Sequence, residues 1–362
     1  MRALRIYAGP VARRHIEEHG LAPADVGVVP AAAGGPKGLI LGRLDRFLFG
    51  HWLPRTDHTV HLVGASIGAW RMATACLREP VQAFEQLERD YIAQSYDLPP
   101  GQKALTAADV SQRFSEGLEA FYGGRIREVL THPRFRLHVV TSHGRHVLGR
   151  EHRLGTPLGY LGAFVSNTLH RKAMGAWLER VVFSTPEQGV PCPLPFATDD
   201  FPTRQVLLSE ANFQPALQAS CSIPFLLKAV HDIPGAPKGA YWDGGITDYH
   251  LHLKYACGPG PGLVLYPHFQ KAVVPGWLDK GLKWRHRATA FLDRMVVLAP
   301  DPAWVRTLPN AKLPDRSDFT RYGADLQSRM DAWWTAALAG QQLADEFAEW
   351  LEQPEPARVE AL

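Results

Sequence analysis

Residues 58–77 read HTVHLVGASIGAWRMATACL, and this stretch decides the fold. An apolar, β-branched run enters the turn GASIG at 64–68, and a segment of good helix formers leaves it. A Gly-x-Ser-x-Gly turn between a strand and a helix is the setting of a nucleophile elbow, which exposes the serine hydroxyl at the strand end. The turn is tight, so small residues such as Gly64 and Gly68 must flank the serine. Ser66 is therefore a candidate nucleophile. The alternative is a structural turn whose serine caps a helix.

The composition is typical of a globular protein, with 46% hydrophobic and 21% charged residues among 362. This length suits one large domain with insertions or two modest ones. The net charge is only +3 and the basic residues form no blocks, so nucleic acid is not an implied partner. The cysteines form no Cys-x-x-Cys pair, which favours a reducing compartment over a disulfide framework or a zinc site. They are Cys76, Cys192, Cys221 and Cys257.

We expect neither a signal peptide nor a membrane-spanning helix. The first eight residues, MRALRIYA, lack a sustained apolar core. No stretch approaches the roughly 18 uninterrupted apolar residues that a spanning helix needs. A cytoplasmic protein is the default expectation, and peripheral contact with a membrane stays open.

A glycine-rich loop, Gly34-Gly35-Pro36-Lys37-Gly38, joins a predicted strand at 25–30 to a predicted helix at 39–49. It is not a phosphate-binding P-loop, because glycine follows the lysine where serine or threonine is required. The spacing of a dinucleotide fingerprint is not met either. Exposed backbone N–H groups in such a loop can hold an oxyanion. Proline has no N–H, so the candidate donors are Gly34, Gly35, Lys37 and Gly38. The alternative is a glycine-rich turn without a ligand.

The remaining pattern alternates strands with helices, which favours an α/β fold with a largely parallel sheet. We predict further strands at 136–142, 180–184, 205–208, 263–266 and 295–299, and a hairpin partner at 146–150. We predict further helices at 10–20, 80–95, 106–130, 159–179, 212–220 and 321–352, a Pro/Gly break at 98–103 and a surface loop at 187–202. Ligands of such sheets sit beyond the strand ends.

Four pieces of the chain, in this order, resemble the patatin-like phospholipase family. They are the loop at 34–38, the GASIG elbow, the segment ASCSIP at 219–224, and Asp243-Gly244-Gly245, which follows an aromatic predicted strand. The resemblance covers 26–255. It implies a three-layer α/β sandwich with a mostly parallel central sheet and helical insertions. Residues 256–362 would form a C-terminal helical extension packed on that catalytic domain.

The resemblance also implies a mechanism with a serine–aspartate dyad and no histidine. We expect no metal and no cofactor. Ser66 would attack an ester carbonyl, and Asp243 would take its proton and later activate water. The loop donors would hold the oxyanion, and Gly64, Gly68, Gly244 and Gly245 would shape the two turns. The sequence departs from the family pattern in three places. Ala33 replaces the first of three glycines, Pro36 occupies the variable position, and Asp248 stands where asparagine is frequent.

Other residues carry weaker alternatives. Asp248, His250 and His252 are close enough in sequence to suggest a metal, but no third ligand of convincing spacing joins the two histidines. His268 or His286 could complete an ordinary Ser-His-Asp triad. Lys37 would either attract a phosphate headgroup or form an ion pair within the fold.

Two tryptophan-bearing segments could contact a lipid surface. The helical pattern at 321–352 could do so, but its apolar stripe more often packs in a core. Trp277 and Trp284 lie among basic residues, as in a site for an anionic surface or in a solvated loop.

The function predicted is a lipid acyl hydrolase. The alternatives are an esterase or thioesterase on non-lipid acyl substrates and an inactive scaffold on a lipid surface.

Overall fold

The computed structural model describes residues 1–95, 106–256 and 262–362. The predicted break at 98–103 and Cys257 lie outside these residues. The strands of the described residues are β1 Leu4–Ala8, β2 Val26–Ala31, β3 Val60–Ala65, β4 Phe135–Gly144, β5 Leu178–Ser184, β6 Pro186–Glu187, β7 Val190–Pro191, β8 Thr203–Leu207, β9 Val230–His231, β10 Ala240–Asp243, β11 Leu263–Pro267, β12 Met295–Pro300 and β13 Val359–Ala361.

Helices flank these strands along the chain. The α-helices of the described residues are α1 Pro10–His19, α2 Gly42–Phe47, α3 Ile67–Ala75, α4 Pro80–Ala93, α5 Ala107–Tyr122, α6 Ile126–Leu130, α7 Gly155–Leu169, α8 Phe213–Cys221, α9 Gly245–Asp248, α10 Pro302–Val305, α11 Ser317–Tyr322, α12 Leu326–Ala339 and α13 Gln341–Glu352. Short 3₁₀ helices join several of them, including Gly35–Leu41 ahead of α2 and Trp277–Asp279 after β11.

The fold is of the α/β class and its central sheet is mostly parallel, as predicted. Its strand order is β13-β1-β12-β11-β2-β3-β4-β10-β9, and β5 pairs with both β4 and β8. The strands β12, β11, β2, β3 and β4 run parallel to their neighbours within this central group. Their side chains are buried on both faces, as expected for strands covered by helices on each side.

The segment after residue 256 contributes β11, β12 and β13 to this sheet. β11 pairs with β2 in parallel, and β13 pairs with β1 at the sheet edge. The division into a catalytic domain at 26–255 and an extension at 256–362 stays a prediction.

Several predicted elements are confirmed and others are wrong. The helices at 10–20 and 80–95 and the strands at 263–266 and 295–299 are present. Residues 146–150 do not pair with β4, because a 3₁₀ helix, His146–Gly149, occupies that segment. The antiparallel partners of β4 are β5 and β10.

Glycines explain three of the wrong helix boundaries. The predicted helix at 106–130 is two helices, since Gly124 has a φ of 74°. The predicted helix at 321–352 is interrupted at Gly323, with a φ of 53°, and again at Gly340. A side chain at Gly340 would come within 2.5 Å of the carbonyl oxygen of Ile40. The predicted helix at 159–179 ends at Leu169, and β5 begins at Leu178.

Two tryptophans of helices α12 and α13 lie in the core, and a third, Trp334, is partly buried and packs against it. Trp333 is 1% exposed and Trp350 is fully buried. The packing alternative is therefore correct for this segment, and its use as a lipid-binding face is not supported. In the parts of the chain that the structure describes, no helix combines the length and the apolar character needed to cross a membrane.

Candidate active site

Ser66 lies between β3 and α3, in the strand–turn–helix arrangement predicted for it. Its backbone has a φ of 57° and a ψ of −130°, a strained conformation for a residue other than glycine. The flanking glycines are needed for close packing. A Cβ on Gly64 would come within 2.4 Å of the Cα of Ala69, and one on Gly68 within 1.9 Å of the carbonyl oxygen of Ala31.

Strand β4 brings Asp243 to Ser66. Its Val140 pairs with Ala65, the last residue of β3, and its Thr141 pairs with Asp243, the last residue of β10. β10 is antiparallel to β4, so Asp243 is carried to the site by a short strand that ends halfway along its neighbour. The two strand ends therefore lie at the same level on either side of β4.

The Ser66 hydroxyl donates a hydrogen bond to Oδ2 of Asp243 over 2.8 Å. The second oxygen, Oδ1, accepts the N–H of Gly245 at 2.7 Å. Both side chains are buried, Ser66 to 4% exposure and Asp243 to 6%. Burial raises the pKa of the Asp243 carboxyl to about 6, although the hydrogen bond from Ser66 and the charge of Arg316 act in the opposite direction. A carboxylate with this pKa is a usable proton acceptor near neutrality.

Ser220 holds the two turns together, a role that the sequence analysis missed. Its hydroxyl donates to the carbonyl oxygen of Val140 at 2.7 Å and accepts the N–H of Ser66 at 2.9 Å. Its own carbonyl oxygen accepts the N–H of Gly244 at 3.1 Å. The ASCSIP segment that contains Ser220 was recognised in the sequence, but nothing in its spacing indicated which of its two serines would contact the elbow.

The glycine-rich loop approaches Ser66 with its first residues. Gly35 has a φ of 57° and begins the 3₁₀ helix Gly35–Leu41. A Cβ on Gly34 would come within 2.6 Å of the Phe269 ring. N–H groups at a helix start have no partner within the helix, which favours Gly34 and Gly35 as donors. Gly38 lies inside the 3₁₀ helix and lines neither cavity beside Ser66.

Two cavities meet at Ser66. The first, which we call the polar cavity, has a volume of about 270 Å³. The second, the apolar cavity, has a volume of about 360 Å³. Ser66, Ile223 and Arg316 line both. The apolar cavity is otherwise lined mainly by large hydrophobic side chains, among them Ile67, Trp70, Tyr91, Phe114, Leu227 and Phe319.

The polar cavity carries an excess of positive charge. Lys37, Lys280 and Arg316 line it together with two carboxylates, Asp243 and Asp315, and Asp315 is paired with Lys312 at 2.8 Å. The Nζ atoms of Lys37 and Lys280 lie 5.3 Å and 5.1 Å from the centres of aromatic rings. Burial lowers the pKa of both lysines. Within residues 1–95, 106–256 and 262–362, no carboxylate forms an ion pair with these three cations.

The histidine alternatives are not supported. No histidine among the described residues lines either cavity. Nε2 of His268 lies 3.1 Å from Nδ1 of His250, and Nε2 of His286 lies 2.9 Å from the carbonyl oxygen of Asp279. Both rings are therefore engaged away from Ser66.

The residues that suggested a metal are also engaged elsewhere. Asp248 pairs with Arg180 at 2.6 Å, and the two ring nitrogens of His252 lie within hydrogen-bond distance of Val273 and Thr289. A different group, His61, His138 and Cys192, has its ligand atoms within 4.8 Å of one another. It lines neither cavity, and its histidines are hydrogen-bonded to each other at 2.9 Å.

A comparison with models of protein families gives a match. The family model described as patatin-like phospholipase matches residues 32–250, which is more than half of the 362-residue chain. The matched range includes the glycine-rich loop from Gly34, Ser66, Ser220 and Asp243. A comparison with curated proteins gives no match to the chain.

Proposed function

The chain belongs to the patatin-like phospholipase family, a family of lipid acyl hydrolases, and on that premise we propose that it deacylates lipids through a Ser66–Asp243 dyad. The observation that carries the proposal is the 2.8 Å hydrogen bond from Ser66 to Asp243 at the junction of two cavities of opposite character. The buried cysteines Cys76, Cys192 and Cys221 are free thiols, which supports our expectation of a reducing, cytoplasmic setting.

In the first half of the reaction Ser66 becomes acylated. Its Oγ attacks the ester carbonyl carbon while its proton passes to Oδ2 of Asp243. The negative charge that develops on the carbonyl oxygen is held by N–H groups of Gly34 and Gly35, and Lys37 and Gly38 remain candidates from the family pattern. The carbon–oxygen bond of the ester then breaks, and the departing alcohol oxygen takes the proton back from Asp243.

The second half regenerates the enzyme. A water molecule gives a proton to Asp243 and attacks the acyl carbon. The tetrahedral intermediate collapses, the Ser66 oxygen leaves and recovers its proton, and the fatty acid is released. Asp243 is thus the base in each attack and the acid in each collapse. The raised pKa of this carboxyl suits both roles, because a weakly basic carboxylate would accept the serine proton poorly.

The different character of the two cavities supports a proposed position for each end of the substrate. We place the acyl chain in the apolar cavity, where it would contact Trp70, Phe114 and Phe319. The leaving group would occupy the polar cavity beside Lys37, Lys280 and Arg316. These three cations form no ion pair with a carboxylate of the described residues, which favours a leaving group that carries a negative charge, such as a phosphate ester.

The first test is covalent labelling with a fluorophosphonate probe, which reacts with activated serines. We expect the native chain to be labelled at Ser66, as identified by mass spectrometry of the modified peptide, and Ser66→Ala to remain unlabelled. Circular dichroism would verify that the variant is folded. An unlabelled native chain would contradict the proposal and favour an inactive scaffold.

A series of acyl esters then separates lipids from other substrates. We expect hydrolysis of esters to improve with acyl length and to rise when the substrate forms micelles. A preference for short, monomeric esters or for thioesters at every concentration would instead favour the non-lipid esterase or thioesterase.

A further inference from the structure

Helix α7 exposes an unusual apolar face. Its 15 residues, GTPLGYLGAFVSNTL, include no charged side chain. The buried face is formed by smaller and aromatic residues such as Tyr160 and Ala163. The opposite face points to solvent although it is apolar. Its side chains, with their exposed fractions, are Leu154 just before the helix at 76%, Leu158 at 65%, Leu161 at 57%, Phe164 at 41%, Val165 at 51% and Leu169 at 81%.

Helix α7 packs, through residues of its buried side, against two segments that contribute to the cavities. The ring of Phe225, which is 61% exposed, lies 5.9 Å from the ring of Tyr160 in α7. The next residue, Leu226, is 51% exposed and lines the apolar cavity. On the other side, Asn167 of α7 donates a hydrogen bond to Asp279 at 2.8 Å.

Asp279 belongs to the short helix that carries Trp277, which lines the polar cavity and is 36% exposed. Trp284 follows at 63% exposure. We call the exposed apolar side chains of 154–169, 225–226, 277 and 284 the apolar platform. Large exposed apolar side chains on segments that pack together in this way mark an interaction site.

Most of the charged side chains around the apolar platform are basic. Within 151–172, 225–228 and 277–287 the acidic residues are Asp279, which is fully buried, and Glu151, which pairs with Lys228 at 3.0 Å. The exposed basic residues are His152, Arg153, His170, Lys172, Lys228, Lys280, Lys283 and Arg287. The rim of the platform therefore attracts an anionic surface.

We propose that the apolar platform docks on an anionic lipid surface and turns both cavity mouths towards it. The leucine and aromatic side chains would enter the boundary between headgroups and acyl chains, and the basic rim would contact the headgroups. A second copy of the chain fits less well, because a symmetric dimer through this face would bring two basic rims together. The reason for docking rests on the proposed function, but binding itself does not require catalysis.

Binding to vesicles tests the proposal without hydrolysis. The full-length chain carrying Ser66→Ala would be mixed with sedimenting vesicles of phosphatidylcholine, with or without phosphatidylglycerol. We expect binding to the anionic vesicles and at least about tenfold weaker binding to phosphatidylcholine alone, since several basic side chains contribute. Added salt should weaken the binding.

Two sets of variants locate the surface. Leu161→Glu with Leu169→Glu should lower the partition coefficient at least about tenfold, because two exposed leucines no longer enter the membrane. The matched control is Leu338→Glu, an exposed leucine of α12 with 52% exposure, which should bind normally. Lys283→Glu with Arg287→Glu should reduce the preference for phosphatidylglycerol, whereas Arg14→Glu in α1 should not.

The outcomes separate the two proposals. If Leu161→Glu with Leu169→Glu binds vesicles as strongly as the parent chain, or if the parent chain does not bind anionic vesicles, the docking proposal is wrong. If sedimentation analysis shows a dimer that the same substitutions dissociate, the platform is a self-association surface instead. Vesicle binding by a chain that Ser66-directed probes never label would support docking and contradict the proposed hydrolysis.

Discussion

The floor and the walls of the active site come from different parts of the chain. The floor, which we define as Ser66, Asp243, Ser220 and the first glycines of the 34–38 loop, lies entirely inside the range matched by the family. Much of the wall, including Trp277, Lys280, Arg316 and Phe319, lies after residue 250. The range matched by the family therefore contains the residues that we propose for ester cleavage, whereas many of the residues that we propose to contact the substrate lie outside it.

The largest expected effect is on the floor. Asp243→Asn keeps the shape of the side chain but cannot accept the serine proton, so we expect kcat/KM to fall about 10³-fold. Ser66→Ala should reduce hydrolysis to background. Both are measured with a p-nitrophenyl ester on folded protein, with the exposed Asp199→Asn as control. Should Asp243→Asn retain most of its activity, another residue must be the base.

Substitution of a wall residue should change the selectivity between substrates rather than the rate of the chemical step. Lys280→Gln removes one charge from the polar cavity, so KM for an ester with an anionic leaving group should rise about tenfold. Hydrolysis of a neutral ester of the same acyl length should change little. The informative quantity is the ratio of kcat/KM for the two esters, and an unchanged ratio would show that the leaving group does not contact Lys280.

Arg316, a residue of the wall, acts on Asp243 of the floor through its positive charge, and the pH profile of the activity would reveal this interaction. The Asp243 base must be ionised, so kcat/KM should rise with pH around a midpoint of about 6. Arg316→Gln removes a positive charge that favours the carboxylate, and the pKa of Asp243 should therefore move upwards. We expect the midpoint to shift to higher pH, with a few-fold loss of activity below it. A midpoint that moves downwards would contradict this assignment.

The smallest effect concerns backbone strain in the floor. Ser66→Gly and Ser66→Ala both remove the hydroxyl, but only glycine adopts a φ of 57° without penalty. We expect the free energy of unfolding of Ser66→Gly to exceed that of Ser66→Ala by about 1 kcal/mol. Urea denaturation of the two variants measures the difference. Equal stabilities would mean that the elbow is not strained.

Sequence reasoning predicted the floor better than the walls for a physical reason. The elbow and the loop are local motifs in which glycine spacing specifies backbone geometry, so Ser66 and Gly34 could be located from a few residues. The contact between Ser66 and Asp243 spans 177 positions and followed from the family resemblance, not from periodicity. Arg316 and Ser220 carry no local signature of their roles.

Surface and core helices were also hard to distinguish from sequence. The tryptophans of 321–352 left a lipid-facing helix as the less favoured alternative to core packing, and Trp333 and Trp350 are buried. Helix α7 has no tryptophan and was predicted only as part of a longer helix, yet it carries five large apolar side chains that are exposed. An apolar stripe in the sequence indicates that one face of a helix avoids water. Whether that face packs inside the protein or binds a partner depends on whether the sheet has room for the helix, which the sequence does not show.

The hydrogen bonds of Ser220 bear on how the protein folds. They join Ser220 to Ser66 across 154 positions and to Val140 across 80. Contacts between distant residues form late, because closing such long loops is entropically costly. The nascent chain should therefore have no esterase activity until its central sheet has assembled. During refolding, activity should return together with the last tertiary structure, so that hydrolysis reports complete folding rather than local formation of the elbow.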